Sequence, residues 1–408
     1  MSDASRDVLV TGMGAISAFG VGAAPLWEAL RDGRSGIGPL RHPRAAEMRV
    51  SLAAQVPVDF NPSQHIDEKT LTMLDRASLF AVIAAGEAMR QSGIDTTLSG
   101  FAERAGVVIG TGIGGETTHD EQSWRIYGEG ATRVHPLTIV RLMTNAAASQ
   151  GSIALGLRGP AFVVASACAS SNHAIAQAAG MIRSGLADVV VAGGTEACLS
   201  YGALRAWEAM RVLADDACRP FSAGRRGLVL SEGAAVFVLE SRAHAQSRGA
   251  AVLGRIAGVG MTADAGDIVA PDARGAGRAM DLALADAGLA PADIDYINAH
   301  GTGTPVNDVT ETRAIHRSFG AHAKRLAVSS TKSMHGHALG AAGALELVAV
   351  LGAIRDGVLP PTLNLDRPDP DCDLDYVANQ PRAARVGAAL SNSFAFGGLN
   401  AVLAVTAG

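Results

Sequence analysis

At 408 residues the chain is long enough for two domain-sized units, and 48% of it is hydrophobic although only 4% is aromatic. The formal net charge of -5, without any basic block, argues against nucleic acid as a partner. No apolar run approaches the roughly 18 residues that cross a bilayer, so membrane insertion is not expected.

Two features of the sequence predict a cytoplasmic protein. The N-terminus has no basic stretch followed by an apolar one, as a secretory signal would have. The four cysteines have no paired short spacing, which argues against both a disulfide framework and a zinc site.

Apolar runs typical of buried strands alternate with helical patterns along the whole chain. The first series of predicted strands covers 7–11, 105–110, 161–166, 188–193 and 234–239, and the second covers 251–260, 294–299, 326–330, 388–393 and 401–405. Helices are predicted at 78–92, 172–184, 275–287 and 340–356. Continuously apolar strands that alternate with helices indicate sheets covered on both faces. The sequence therefore predicts two similar α/β halves, residues 1–249 and 250–408, divided near 241–249.

Two glycine-rich turns resemble cofactor-binding loops but lack the residues that such loops need. Gly12-Met13-Gly14 follows a strand, yet Ser17 stands where a dinucleotide fingerprint has its third glycine. The turn at 110–115 lacks the Lys-Ser/Thr ending of a phosphate-binding loop. Both are predicted to be tight turns, and no cofactor is expected.

Cys168, in the run SACASS, lies at the junction between a predicted strand and a predicted helix. A helix N-terminus favours thiolate, so we expect the pKa of this thiol to be lowered. Cys168 is therefore a candidate nucleophile. The other three cysteines lack such a setting and are predicted to be structural: Cys198, Cys218 and Cys372.

Two further segments offer histidines at the carboxyl ends of predicted strands. His300 opens the stretch NAHGTGTPVND, and Lys332 and His337 lie in STKSMHGHALGAAG. Strand ends of this kind open onto a crevice more often than onto a core. His335 and His337 form an H-x-H pair, but without a nearby third ligand no metal site is predicted. A thiol with two histidines from distant segments suits acyl transfer through a thioester.

The last informative segment is the glycine-rich turn SNSFAFGGLN near the end of the chain. Such a turn can direct backbone N–H groups at an oxyanion. We expect it to join the same site.

Taken together, these segments resemble the β-ketoacyl-acyl-carrier-protein synthases, most closely the ketosynthase II type and its polyketide relatives. The resemblance runs from Val8 to Val405 and rests on SACASSNHA, NAHGTGTPVND, STKSMHGHALGAAGALE, PPTLNLDRPDPDCDLDYV and NSFAFGG. It implies a thiolase-like five-layer αβαβα sandwich of two related halves, with Cys168 in the first half and both histidines in the second. It also implies an acyl carrier protein as partner, which delivers the phosphopantetheine arm, and a homodimer.

The resemblance further implies roles in catalysis. Cys168 would take the acyl chain from its thioester, and the backbone N–H groups of Cys168 and Phe396 would form the oxyanion hole. His300 and His337 would assist decarboxylation of malonyl-carrier protein, whose enolate would attack the acyl-Cys and extend the chain by two carbons. Lys332 would pair with Glu311 to order the histidines.

The remaining roles that the resemblance implies concern binding. Asp308 would share the polar network of Glu311, while residues 133–158 would form the dimer face and part of the acyl pocket. Phe396 would also gate access to the nucleophile. Four residues would bind substrate. Thr302 and Thr304 would hydrogen-bond the phosphopantetheine arm, Ile113 would line the acyl pocket, and Phe394 would also contact the substrate.

Five alternatives remain open beside this interpretation. A thiolase would use a second Cys as base, whereas STKSMHGHALG offers His; a ketosynthase primed by coenzyme A would carry Asn where His337 stands. A non-catalytic partner subunit would lack Cys168, yet an active subunit that needs a chain-length-factor-like partner in a heterodimer fits the sequence. A purely structural or binding protein fits it least well.

Overall fold

The computed structural model describes residues 7–408 of the chain. Strands are β1 Val8–Ser17, β2 Gly20–Val21, β3 Ile37–Pro39, β4 Leu52–Ala54, β5 Ala105–Gly110, β6 Ala161–Val164, β7 Val189–Glu196, β8 Gly233–Ser241, β9 Gly254–Ala263, β10 Tyr296–Asn298, β11 Ala327–Ser329, β12 Val358–Leu359, β13 Arg382–Ala383, β14 Ala388–Ala395 and β15 Leu399–Thr406. Helices are α1 Ala23–Arg31, α2 Glu68–Leu71, α3 Arg76–Ser92, α4 Phe101–Arg104, α5 Glu116–Ser123, α6 Thr138–Leu142, α7 Ala146–Leu155, α8 Ser170–Arg183, α9 Tyr201–Met210, α10 Arg242–Ser247, α11 Ala273–Ala287, α12 Pro305–Phe319, α13 Lys332–His335 and α14 Ala342–Asp356.

Two five-stranded sheets with the same topology dominate this part of the chain. The first has the order β6-β5-β7-β8-β1 and the second β11-β10-β14-β15-β9. In each sheet the first three strands are parallel, the fourth runs antiparallel to them, and the fifth is antiparallel to the fourth. β1 and β9 pair through Val8–Val10 and Gly254–Ile256, so the two sheets are continuous.

Helices cover both faces of each sheet. α3 and α7 pack outside the first sheet, and α11 and α12 pack outside the second. α8 and α14 lie between the sheets and contact each other. This arrangement confirms the predicted five-layer sandwich.

The central layer explains why the core is so rich in small residues. Every residue of α14 from Ala342 to Ala353 is buried, because the helix is enclosed on all sides. A side chain on Gly352 would have its Cβ 2.2 Å from the indole of Trp27, so only glycine fits there.

The predicted strands are all present, with ends that differ by a few residues. β5 has the predicted bounds, whereas β1 continues six residues further than predicted, to Ser17. The predicted division between the halves falls after β8 and α10 and before β9, in the connection between the two sheets. Within residues 7–408 no helix combines the length and the apolarity needed to cross a membrane.

Candidate active site

The predicted catalytic segments meet at the carboxyl ends of three strands. Cys168 follows β6, His300 follows β10, and the Lys332–His337 segment follows β11. Cys168, His300 and His337 line one cavity of about 350 Å³, whose lining is mostly apolar. The structure thus brings the thiol and both histidines of the sequence analysis into one site.

Cys168 lies in a one-turn 3₁₀ helix, Ala167–Ala169, directly before α8. Its Sγ is 3.2 Å from Nε2 of His337. Ala167 has a φ of 48°, a left-handed backbone conformation that residues other than glycine rarely adopt. This tight turn directs the thiol into the cavity.

The environment of Cys168 corrects one prediction. Burial among apolar groups raises the pKa of the Cys168 thiol to about 12, although Lys332 acts in the opposite direction. The expectation that the helix N-terminus would lower this pKa is therefore wrong. Removal of the thiol from water outweighs the favourable charge at the start of α8.

The second half contains a turn of the same form at the corresponding place. Leu339–Ala341 is a one-turn 3₁₀ helix directly before α14, and Leu339 has a φ of 47°. Gly340 of this turn corresponds to Cys168 of the first. The two turns contact each other in the middle of the molecule.

The turn at Leu339 determines which ring nitrogen of His337 carries a proton. The Leu339 N–H donates to Nδ1 of His337 at 3.3 Å, so this nitrogen accepts and Nε2 carries the proton. Burial, followed by the charge of Lys332, lowers the pKa of His337 well below its usual value. His337 is therefore a neutral donor whose Nε2–H faces Cys168.

His300 has the same protonation pattern for a different reason. Nζ of Lys332 lies 3.4 Å from Nδ1 of His300 and donates to the His300 carbonyl at 2.6 Å. Burial, and then the charge of Lys332, lowers the pKa of His300 well below its usual value. The ring centroids of His300 and His337 are 5.4 Å apart, in an edge-to-face arrangement. The site therefore holds two neutral imidazoles.

Lys332 pairs with Glu346 of α14, and both side chains are fully buried. The predicted pairing of Lys332 with Glu311 is wrong, because Glu346 extends from the central helix directly towards the ammonium group. Burial raises the pKa of Glu346 to about 7, against the attraction of Lys332. Glu346 lies within the helix predicted at 340–356, and no role in the site was predicted for it.

Glu311 instead fixes the backbone next to His300. Its carboxylate accepts the N–H of His300 at 2.9 Å and that of Gly301 at 2.8 Å. Asp308 belongs to a separate network and accepts N–H groups of Phe221 and Gly303. The prediction that Asp308 shares the network of Glu311 and Lys332 is therefore wrong at the level of direct contacts.

Most of the predicted substrate-binding residues line the cavity, with one exception. Thr302 and Thr304 lie on one wall with their hydroxyls 2.9 Å apart, and Phe394 lies 6.1 Å from the His300 ring. Phe396 also lines the cavity. Ile113 is 44% exposed and lies outside the cavity lining.

Three residues that the sequence analysis did not single out contact this site. Trp207 of α9 lines the cavity and stacks on Phe396 at 6.1 Å. Arg225 is buried and donates to the carbonyls of Thr304 at 3.1 Å and Pro305 at 2.9 Å. Glu196 is buried at the end of β7, beneath the Leu339–Ala341 turn. The contacts that join these three residues to the site become apparent only in the folded chain.

His335, the second member of the H-x-H pair, points away from the thiol. Its Nε2 lies 3.0 Å from the hydroxyl of Thr331, and its side chain is buried. Across residues 7–408 no group of three or more Cys, His, Asp or Glu side chains is arranged to hold a metal ion.

Comparison with known proteins identifies both halves of the chain. Residues 5–245 match the beta-ketoacyl synthase N-terminal domain, and residues 253–366 match the beta-ketoacyl synthase C-terminal domain. Nodulation protein E of Rhizobium meliloti is 51% identical over 399 residues, covering 98% of each chain. The 3-oxoacyl-[acyl-carrier-protein] synthase 2 of a Synechocystis species is 44% identical over 407 residues, covering 98% of this chain and 97% of the relative.

Solved structures agree with these relationships. The ishigamide ketosynthase/chain length factor superposes with a TM-score of 0.94 at 35% identity, over 99% of each chain. A beta-ketoacyl synthase from Burkholderia phymatum superposes with a TM-score of 0.90 at 34% identity, over 98% of this chain and 99% of that chain. A type II polyketide ketosynthase in complex with its acyl-carrier protein superposes with a TM-score of 0.89 at 31% identity, over 99% of this chain and 100% of that chain. The predicted thiolase-like fold is confirmed.

Proposed function

The chain belongs to the beta-ketoacyl synthase family and is an acyltransferase, and from this premise we propose which residues perform each step of the reaction. The observation that carries the proposal is the convergence of Cys168, His300 and His337 in one cavity, with 3.2 Å between the thiol and the His337 ring. The reaction is acyl transfer to Cys168 followed by decarboxylative Claisen condensation with a malonyl thioester.

In the first step, Sγ of Cys168 attacks the carbonyl of an acyl thioester carried by an acyl carrier protein. A new S–C bond forms, the bond to the pantetheine sulfur breaks, and the proton of Cys168 ends on the released pantetheine thiol. The His337 Nε2–H stabilises negative charge on Sγ as the proton leaves. The high thiol pKa makes this donor important, because little thiolate exists at neutral pH.

In the second step, a malonyl thioester binds and loses carbon dioxide. The electron pair of the broken C–C bond moves into an enolate, whose negative charge lies largely on the thioester oxygen. His300 and His337 each present a neutral Nε2–H donor in a water-poor site, where such donors stabilise developing charge most effectively. Lys332 keeps His300 in this form by donating to its Nδ1.

In the third step, the enolate carbon attacks the carbonyl of the acyl-Cys168. A C–C bond forms, the C–S bond to Cys168 breaks, and the free thiol is restored by a proton from solvent. The backbone N–H groups of Cys168 and Phe396 would hold the tetrahedral oxyanion. Trp207 packs against the Phe396 ring and would favour the position in which it covers Cys168. All of these groups belong to the chain, so the proposed chemistry needs no resident cofactor.

Thr302 and Thr304 are placed to bind the phosphopantetheine arm. They lie on the cavity wall next to His300, and both can donate or accept hydrogen bonds to amides of the arm. Arg225 holds this turn from below through two backbone carbonyls. The arm would arrive on an acyl carrier protein, as in the related type II ketosynthase complex.

We propose that the enzyme is a homodimer. The segment 124–143 exposes many apolar side chains, an arrangement typical of a surface that a partner covers: Trp124, Ile126, Tyr127, Val134, Leu137, Ile139, Val140 and Met143. Ile113 lies next to this surface and would meet the acyl pocket only once the partner is in place. A heterodimer with a chain-length-factor-like subunit is the second candidate, because one related structure is a ketosynthase/chain length factor.

The pathway and location belong to the same proposal. Identity is higher to nodulation protein E, at 51%, than to the 3-oxoacyl synthase, at 44%, which supports a specialised acyl pathway over housekeeping lipid synthesis. We place the enzyme in the cytoplasm, because all four cysteines are free and buried.

Intact-protein mass spectrometry tests the central claim. The wild type should gain an acyl mass from a panel of saturated and unsaturated acyl-carrier-protein thioesters, and malonyl-carrier protein should discharge it. Cys168→Ala should gain no mass, whereas Cys372→Ala, a matched buried cysteine in the core of the second half, should still be acylated. An adduct that persists in Cys168→Ala would contradict the assignment, and no adduct from any thioester would favour the heterodimer.

A further inference from the structure

Glu196 is a fully buried carboxylate that the steps above do not use, although it lies beneath the turn that follows His337. It is the last residue of β7 and reaches across the boundary between the two halves. Its Oε2 accepts the N–H of Gly112 at 2.6 Å and that of Gly340 at 3.0 Å. One oxygen therefore joins the glycine-rich turn after β5 to the 3₁₀ turn before α14.

The other oxygen of Glu196 is held equally firmly. Oε1 accepts the hydroxyl of Thr111 at 3.0 Å and the thiol of Cys198 at 3.2 Å. Burial raises the pKa of Glu196, whereas the N–H groups of Gly112 and Gly340 act in the opposite direction. The carboxylate thus sits in a ring of donors that fixes its position.

Two consecutive N–H groups connect Glu196 to the catalytic histidine. The Leu339 N–H donates to Nδ1 of His337, and the next N–H, that of Gly340, donates to Glu196. The Gly340 carbonyl accepts the hydroxyl of Ser171 on α8, so this residue is held at both its N–H and its C=O. Since Leu339 has a positive φ, its backbone conformation depends on such restraints.

The packing leaves no room for side chains between the Leu339–Ala341 turn and the glycine-rich turn after β5. A Cβ on Gly340 would lie 2.2 Å from the Gly112 nitrogen, and one on Gly112 would lie 2.7 Å from Oε2 of Glu196. The backbones therefore touch directly, and the carboxylate is the polar group that bridges them.

We propose that Glu196 is a positioning residue of the active site: by holding the Gly340 peptide, it keeps the Leu339 N–H on Nδ1 of His337 and so keeps the Nε2 proton directed at Cys168 and the substrate. This inference rests on the proposed function for its catalytic consequence. The protonation pattern of the ring is a property of the chain without substrate.

The test compares Glu196→Gln with Glu240→Gln. Glu240 is also fully buried, but in the register of β8 on β7 it lies opposite Val189, the first residue of β7. Glu196 is the last residue of the same strand, so the two carboxylates lie at opposite ends of it. Ring-nitrogen NMR of ¹⁵N-histidine-labelled protein, with the His337 signal assigned from His337→Asn, reports which nitrogen carries the proton. Decarboxylation of malonyl-acyl-carrier-protein and the thermal midpoint are measured on the same samples.

Wild type and Glu240→Gln should show His337 protonated at Nε2 only. Glu196→Gln should show a mixture of both tautomers, and its decarboxylation should fall about tenfold or more, towards the roughly hundredfold limit for a lost donor. An unchanged tautomer in folded Glu196→Gln would overturn the proposal, as would a loss of activity that only follows the folded fraction.

A second variant keeps the test decisive if Glu196→Gln does not fold. Ser171→Ala releases the same Gly340 residue at its carbonyl and should give a smaller shift in the same direction; an unchanged tautomer would overturn the proposal. If the wild type does not decarboxylate the malonyl thioester, the proposed function fails, while the tautomer comparison still decides the role of Glu196.

Discussion

Replacing Lys332 with Met tests whether the buried pair with Glu346 holds the site together. Both side chains are fully buried, so the substitution leaves a carboxylate without its counter-charge in the interior. Removing one partner of such a pair costs about 3–5 kcal/mol. We expect Lys332→Met to lose an amount in this range from its free energy of unfolding at pH 8.

The pH dependence of this loss follows from the Glu346 carboxyl. With Lys332 present, burial raises the pKa of Glu346 from its ordinary value of 4.5 to about 7, so between these pH values the folded state binds more protons than the unfolded state. Stability contributed by this group therefore falls as the pH rises from 4.5 to 7. Without Lys332 the pKa rises further, so at pH 6 the carboxyl is neutral and the cost of Lys332→Met should be smaller than at pH 8.

Urea unfolding followed by tryptophan fluorescence, at one fixed protein concentration, measures these differences. The matched control is Lys324→Met, because the Lys324–Asp373 pair is about half exposed and such surface pairs contribute roughly 0–1 kcal/mol. The double variant Lys332→Met/Glu346→Leu should be more stable than Lys332→Met, since no unpaired charge remains. The reasoning is refuted if Lys332→Met loses no more than Lys324→Met, or if the double variant is the less stable.

Three further predictions concern the chemistry. The rate at which iodoacetamide alkylates Cys168 should keep rising with pH above pH 9, because burial raises the pKa of the thiol to about 12. A rate that reaches its plateau near pH 7 would contradict this. His300→Ala should decarboxylate malonyl-carrier protein roughly a hundredfold more slowly, while Cys168 is still acylated. Loss of the acyl adduct in this variant would show that His300 is needed for acyl transfer, and would contradict the role proposed for it. Arg225→Lys should raise KM for the carrier-bound substrate several-fold with little change in kcat, because it loosens the turn that carries Thr304; a change in kcat alone would show that this turn serves the chemistry instead.

The strands and the layer order were predictable because their residues carry the signal locally. Continuous apolar runs such as Ala105–Gly110 are buried on both faces, and burial on both faces is what an enclosed sheet requires. The pairing of β1 with β9 was not predictable, since it involves only three residues on each strand. Nothing in an apolar run states which other run it will lie beside.

The candidate site was predictable as a set of residues but not as a set of contacts. Cys168, His300 and His337 stand in short segments whose residue types suit acyl transfer, and the structure brings them together. The partner of Lys332 depends on how α14 is oriented in the central layer, and the family resemblance wrongly implied Glu311 as that partner. Glu346 stands in an otherwise apolar helix, and that isolated charge was the available signal.

The thiol pKa shows why local reasoning fails for ionisation. The position of Cys168 just before a helix is visible in the sequence, and it predicts a lowered pKa. The enclosure of the same thiol by residues from both halves is not visible, and it has the larger effect.

The repeated 3₁₀ turn has a consequence for the history of the chain. Two sheets of identical strand order, each placing the same strained turn before a central helix, are the pattern that duplication of one half would leave. The two turns contact each other in the middle of the molecule, so a thiol in both copies would have placed two cysteines side by side. Gly340 now stands where the other copy has Cys168, and the close approach of Gly112 leaves no space for a second thiol. The first half therefore supplies the nucleophile, Cys168, and the second half supplies the two imidazoles, those of His300 and His337.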